Sequence, residues 1–140
     1  MNGIGGFKKV TLFFADQVTV STSAYSASLT GDAGILLPIS DGKSSITSTS
    51  KGDGSYDHVA ELSLKFSGVD DTMARQLRQV SCRGCVLKAE DFDGGSWLLG
   101  DCDYPLSGTA DQHHGTSHSD LRHWRLRLSS VCLHPMLRIQ

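Results

Sequence analysis

The chain has 140 residues, a length that suits one hydrophobic core and is short for two. Thirteen Lys and Arg against fifteen Asp and Glu leave a formal charge of -2, so there is no overall positive field to hold a nucleic acid. The longest apolar run near the start, Val10 to Ala15, is too short to span a membrane, and no small-residue cleavage site follows it as in a secretory signal. A cytoplasmic chain is therefore expected. Its four cysteines are too sparse for a disulfide scaffold and should be free thiols.

In chain order, Phe7 to Val20 mixes β-branched and aromatic residues around Asp16 and Gln17, which predicts two strands or one bent strand. Residues 21–55 are rich in Ser, Thr and Gly. They read as loops joining two modest strands, around Ile35 to Ile39 and Ser44 to Ser50, with the whole segment able to serve as a loop or arm. In HVAELSLKF, Ala60, Leu62, Leu64 and Phe66 alternate with polar residues, the period of a half-buried strand. The next residues place Val69, Met73, Leu77 and Val80 on one helical stripe, with Asp70 and Asp71 at the start and Arg75 and Arg78 toward the end. This is the one helix that the periodicity predicts.

Val86 to Phe92 and Ser96 to Cys102 read as strands joined by Asp93, Gly94 and Gly95, residues suited to a tight hairpin turn. Asp101, Asp103 and Pro105 mark the end of the second strand. The aspartate-rich stretch from Asp91 invites a calcium reading, but it lacks the third ligand position and the closing Glu of a calcium loop. A phosphate loop is excluded too, since a strand follows the glycines where a Lys-Ser or Lys-Thr and a helix would be needed. The last long strand alternates Trp124, Leu126 and Leu128 with Arg125 and Arg127, which gives it a basic outer face.

Cys82 and Cys85 have the spacing of a zinc knuckle, and a full site would need a second pair from Cys102, Cys132, His113, His114 and His118. None of those repeats a close knuckle spacing, and the histidines read as part of a polar loop. A thioredoxin-like role would put the cysteine pair after a strand and before a helix, the reverse of the order here. His58 reads as a packed or edge histidine, and an enzyme would have to assemble distant residues such as His58, Asp91 and His123. No catalytic, cofactor-binding or metal residue is assigned, and no small-molecule substrate is implied. The fold expected is α+β, mostly antiparallel sheet or a small β-barrel or sandwich, with one packed helix, in a single domain over residues 1–140.

Two stretches resemble known proteins. WLLGDCDYPLSG, followed by a polar loop and HWRLRLSS, is similar to small structural proteins encoded in prophages. GDGSYDHVAELSLKFSGVDDTMARQLRQV resembles a strand and helix of phage minor tail proteins. The resemblance implies a non-enzymatic structural subunit of a phage tail or tail-like assembly, with phage structural proteins and copies of itself as partners. The competing expectation is a small binding module stabilised by zinc at Cys82 and Cys85.

Overall fold

The computed structural model describes residues 2–3, 7–23, 25–40, 44–67, 71–113 and 121–139. In chain order they form β1 (Asn2–Gly3), β2 (Phe7–Phe14), a 3-10 turn, β3 (Val18–Thr22), β4 (Ser26–Gly31), β5 (Ile35–Leu36), β6 (Ser45–Ser50) and β7 (Tyr56–Ser67). Helix α1 (Asp71–Arg78) follows, then β8 (Cys85–Asp91), β9 (Ser96–Leu99), β10 (Ser107–His113), β11 (Leu121–Cys132) and β12 (Leu137–Ile139). Sheet A has the order β1-β6-β7-β11-β10, and sheet B the order β3-β4-β12-β9-β8-β2-β5. Among the described residues every strand pair is antiparallel except β4 with β12. The architecture is α+β and sandwich-like, with antiparallel strands dominant and one helix, as the alternation in the sequence predicts.

Sheet A is organised by β7 and β11, which pair along twelve residues. Their register sets Ala60 opposite Leu128, Leu62 opposite Leu126 and Leu64 opposite Trp124, so both apolar sets face the same side. A slip of one residue would turn one set into water, and this fixes the register. The opposite face carries Arg125 and Arg127. Arg125 reaches Glu61 at 3.0 Å and Ser63 at 2.8 Å, and Arg127 lies 3.9 Å from Glu61. Asp111 sits directly across from Arg125. The basic outer face expected of this strand is therefore interleaved with acidic partners.

Sheet B follows a different rule. Leu12, Phe13 and Phe14 are consecutive and all buried, as are Cys85, Val86 and Leu87, and Leu98 with Leu99. Such runs mean that both faces of the strands are covered. Val10, Leu12, Phe14, Leu87, Ala89 and Leu99 point toward sheet A and build the main core with its inner face. Phe13, Val86, Leu98, Leu137 and Ala27 point the other way and form a second cluster, closed by half-buried Val18, Val20, Leu29 and Ile139. Since β2 and β3 stand near opposite ends of the strand order yet share this cluster, sheet B curls around it. Gly34 makes the crossing from β4 to β5 possible: its φ is +78°, and a Cβ there would lie 2.6 Å from the Phe13 ring.

Helix α1 closes one end of the main core. Leu77 and Val80 are fully buried, and Met73 packs against the same cluster, as the stripe predicts. Val69 lies outside the described residues. Arg78 stands 5.9 Å above the Trp124 ring, which stacks on Phe66. No helix among the described residues is long and apolar enough to cross a membrane.

Two expectations are corrected. The strand expected over Ser96 to Cys102 stops at Leu99, because Gly100 takes a φ of +85° and the chain turns at Asp101 to Tyr104. In the segment 21–55 the two expected strands are present as β5 and β6, and a further strand, β4, stands where loop was expected; all three are paired into the two sheets. Each piece is held by few apolar anchors, Ala27, Leu37 and Ile46, and the Ser48 hydroxyl accepts the Met136 amide. Backbone ladders supply the rest, which composition alone conceals. Ile46→Ala should accordingly cost about 2 to 5 kcal/mol in chemical denaturation, whereas Thr49→Ala, on the exposed side of the same strand, should stay within about 0.5 kcal/mol. Equal small losses would mean that β6 is not part of the core.

Candidate functional site

His58 continues the inward row of β7, in phase with Ala60, Leu62 and Leu64, and has no exposed surface. A buried imidazole must satisfy both ring nitrogens. The Gly100 amide donates to Nδ1 at 2.9 Å, and Nε2 lies 2.9 Å from the carbonyl oxygen of His134. These partners assign the tautomer: Nδ1 is bare, Nε2 carries the proton and donates it, and the ring is neutral. Burial holds His58 below the usual imidazole range, opposed by its bond to the His134 carbonyl.

His134 and Asp101 extend the network. His134 Nε2 lies 2.9 Å from Asp101 Oδ2, and Nδ1 lies 2.8 Å from the carbonyl oxygen of Pro135. Both contacts are with acceptor oxygens. The two histidine rings meet edge to face with centroids 5.9 Å apart. Nearby, the Ser130 hydroxyl donates to the Tyr104 carbonyl at 2.7 Å, and the Cys132 thiol makes a longer contact with the same oxygen. The cluster thus ties β6 and β7 of sheet A to the turn after β9 and to the segment leading into β12. Its four ring nitrogens are all bonded to groups of the chain.

The other candidates are dispersed. The Asp91 carboxylate accepts the amides of Asp93 and Gly95 and the Trp97 indole N–H, at 2.8 to 3.1 Å, so it organises the β8–β9 turn. His123 is exposed on the outer face of sheet A, opposite Lys65. His58, Asp91 and His123 therefore do not form one site. His113 has its backbone in β10, and His114 and His118 lie outside the described residues.

All four cysteines are free thiols. Cys82 is exposed and donates to the Gln79 carbonyl, whereas Cys85 is buried and donates to that of Leu106. Burial pushes the Cys85 thiol up to about 12, which disfavours the thiolate that zinc requires. Cys102 contacts the carbonyls of Ala15 and Val18. Among the described residues no group of three or more His, Cys, Asp or Glu side chains is placed to hold a metal.

A cavity of about 210 Å³ opens between β2 and α1, lined in part by Phe14, Gln17, Asp32, Gln76 and Arg83. Arg83 lies 3.9 Å above the Phe14 ring and bonds Asp16 and Gln79 at 2.6 Å each. Its charge is directed to those neighbours.

Sequence reasoning placed His58 on a strand but not its partners. A histidine in phase with four buried apolar positions is itself the signal that polar partners must exist. That they are the Gly100 amide and the His134 carbonyl, far along the chain, follows only from the tertiary fold.

Two measurements follow from this geometry. The Trp97 indole and the turn amides hold the Asp91 carboxyl below its usual 3.8. Its contribution to stability is therefore complete above that value and lost as pH falls through the folded pKa. Asp91→Ala should lower Tm at pH 6, and its deficit against the wild type should shrink steadily below about pH 4. A deficit unchanged at pH 2.5 would show that the carboxylate charge is irrelevant. A chelator should leave Tm unchanged, with no stoichiometric zinc by elemental analysis; a fall in Tm on chelation would establish a metal-dependent fold. No protein-family model, curated protein or solved structure matches the chain.

Proposed function

We propose that this protein is a non-enzymatic structural subunit of a phage tail or tail-like assembly, present in the cytoplasm before incorporation. It joins other phage structural proteins and copies of itself, without a cofactor, a nucleic acid or a small-molecule substrate. The reading is supported by the strand edges at the ends of the two sheets. β10 ends sheet A with seven residues and β3 ends sheet B with five, and neither contains the Lys or Pro that commonly guards an edge. Large apolar side chains stand out near the turns: Tyr25 is 89% exposed, Phe92 74% and Leu133 64%. Edges of this kind join subunits by adding a strand from a neighbour, and a repeated heterologous contact closes into rings or continues as a tube. The resemblance of the WLLGDCDYPLSG and HWRLRLSS segments to prophage structural proteins adds to this reading.

Sedimentation velocity and electron microscopy, on the protein alone and mixed with tail proteins encoded beside it, test the proposal. Rings, tubes or mixed particles are expected. Lysines placed on β3 by Thr19→Lys and Ser21→Lys, both exposed positions, should weaken association at least about tenfold while Tm holds. A protein that stays monomeric at high concentration and in every mixture would refute the assembly role.

A further inference from the structure

His58 stands where four separate pieces of chain meet. From β7 its ring bonds the Gly100 amide and the His134 carbonyl. From β6, Ser48 lies directly opposite His58 and accepts the Met136 amide at 3.1 Å. From the turn after β9, Asp101 meets His134, which belongs to the segment before β12. The charged groups acting on His58 are His134, Asp101 and, on its own strand, Asp57. Its register partners on β6 and β11 are Ser48 and Ser130, both uncharged. Cys132, also on β11, is the neighbouring titratable group there, and its thiol is occupied by Ser130 and Tyr104.

We propose that His58 is an acid-operated latch: its protonation releases the Gly100–Tyr104 turn and the segment from His134 to Met136 from sheet A, while the leucine rows of β7 and β11 and the cluster around Phe13 stay packed. The chemistry is one proton taken from solvent onto Nδ1. That nitrogen then presents N–H to the Gly100 N–H, so an accepted bond becomes two opposed donors. The charged ring then stands beside the His134 ring, at 5.9 Å between centroids, and the nearby Asp101 carboxylate is already bonded to His134. The new charge is buried, and the cheapest relief is to let in water where the turn and the segment meet sheet A. The leucine rows of β7 and β11 and the second cluster around Phe13 contain no part of this network.

The sign is set by the direction of the His58 shift. Its pKa in the closed protein lies below the ordinary 6.5, so the closed state is fully favoured above that value and loses ground as pH falls through the folded value. Hydrogen exchange by NMR between pH 7.5 and 5, corrected for intrinsic rates, reads the latch directly. Protection of the Gly100 and Met136 amides should fall about tenfold per pH unit below about 6.5. Leu12 and Leu87, paired between β2 and β8, should keep theirs. His58→Gln, whose amide can accept from Gly100 and donate to the His134 carbonyl without titrating, should abolish the pH dependence. Constant protection at Gly100, or parallel loss at Leu12 and Leu87, overturns the latch. Should that variant not fold, ring 15N shifts of the wild type decide. A neutral Nε2–H ring at pH 7.5 that gains its proton as Gly100 loses protection supports the proposal. A ring still neutral when Gly100 has opened overturns it.

Discussion

Sheet B is apolar on both faces, and this constraint shapes the rest of the molecule. A strand such as Leu12-Phe13-Phe14 cannot be satisfied by one partner layer, because alternate side chains leave it in opposite directions. One face is covered by the inner side of sheet A. Nothing of comparable size remains to cover the other, so the sheet bends until β3 and β4 bring Val18, Val20 and Leu29 over Phe13. The 3-10 turn at Ala15–Gln17 and the left-handed backbone of Gly34 are the local devices that permit the bend. Two clusters thus share the strands of one sheet.

The same demand explains where polar groups enter the interior. Sheet A meets the curled sheet through Leu and Trp along most of its inner face, but at one end the covering elements are backbone turns and not side-chain rows. Gly100, His134 and Met136 bring amides and carbonyls to that end, and His58 and Ser48 answer them. A leucine at position 58 would fill the space and leave the Gly100 amide without an acceptor, a loss of about 1 to 3 kcal/mol for a buried donor. The polar join is therefore a packing solution, and its response to protons comes with using imidazole for it.

Strands and helix were legible in the sequence where one face is buried and the other wet. The period of two in Ala60, Leu62, Leu64 and Phe66, the same period in Trp124, Leu126 and Leu128, and the helical stripe at Met73, Leu77 and Val80 all correspond to what the fold buries. The hairpin at Asp93 to Gly95 was legible from its turn chemistry. Three things were not. The two-sided burial of sheet B erases alternation, so its strands were read from β-branched and aromatic content, and its division between two clusters was not. In the serine-rich stretch β5 and β6 were read as modest strands, but β4, with Ala27 as its one buried residue, was not. The partners of His58 are backbone groups, which have no residue identity to read. The cysteine pair shows that spacing alone does not make a site: Cys82 and Cys85 are close in sequence, yet one faces water and the other the core.

The pairing of β12 has a kinetic consequence. This short strand lies between β4 and β9, parallel to the first and antiparallel to the second, and joins segments that are far apart in sequence. Until it arrives, the β3–β4 hairpin has no route into sheet B except through the turn at Ala15–Gln17, and the cluster around Phe13 lacks Leu137 and Ile139. Contacts this distant in sequence pay their loop-closure entropy before they return any packing. On a ribosome the curled sheet must wait until β12 has left the exit tunnel, while β7, whose partners β6 and β11 lie on either side of it in sequence, can begin to organise sheet A earlier.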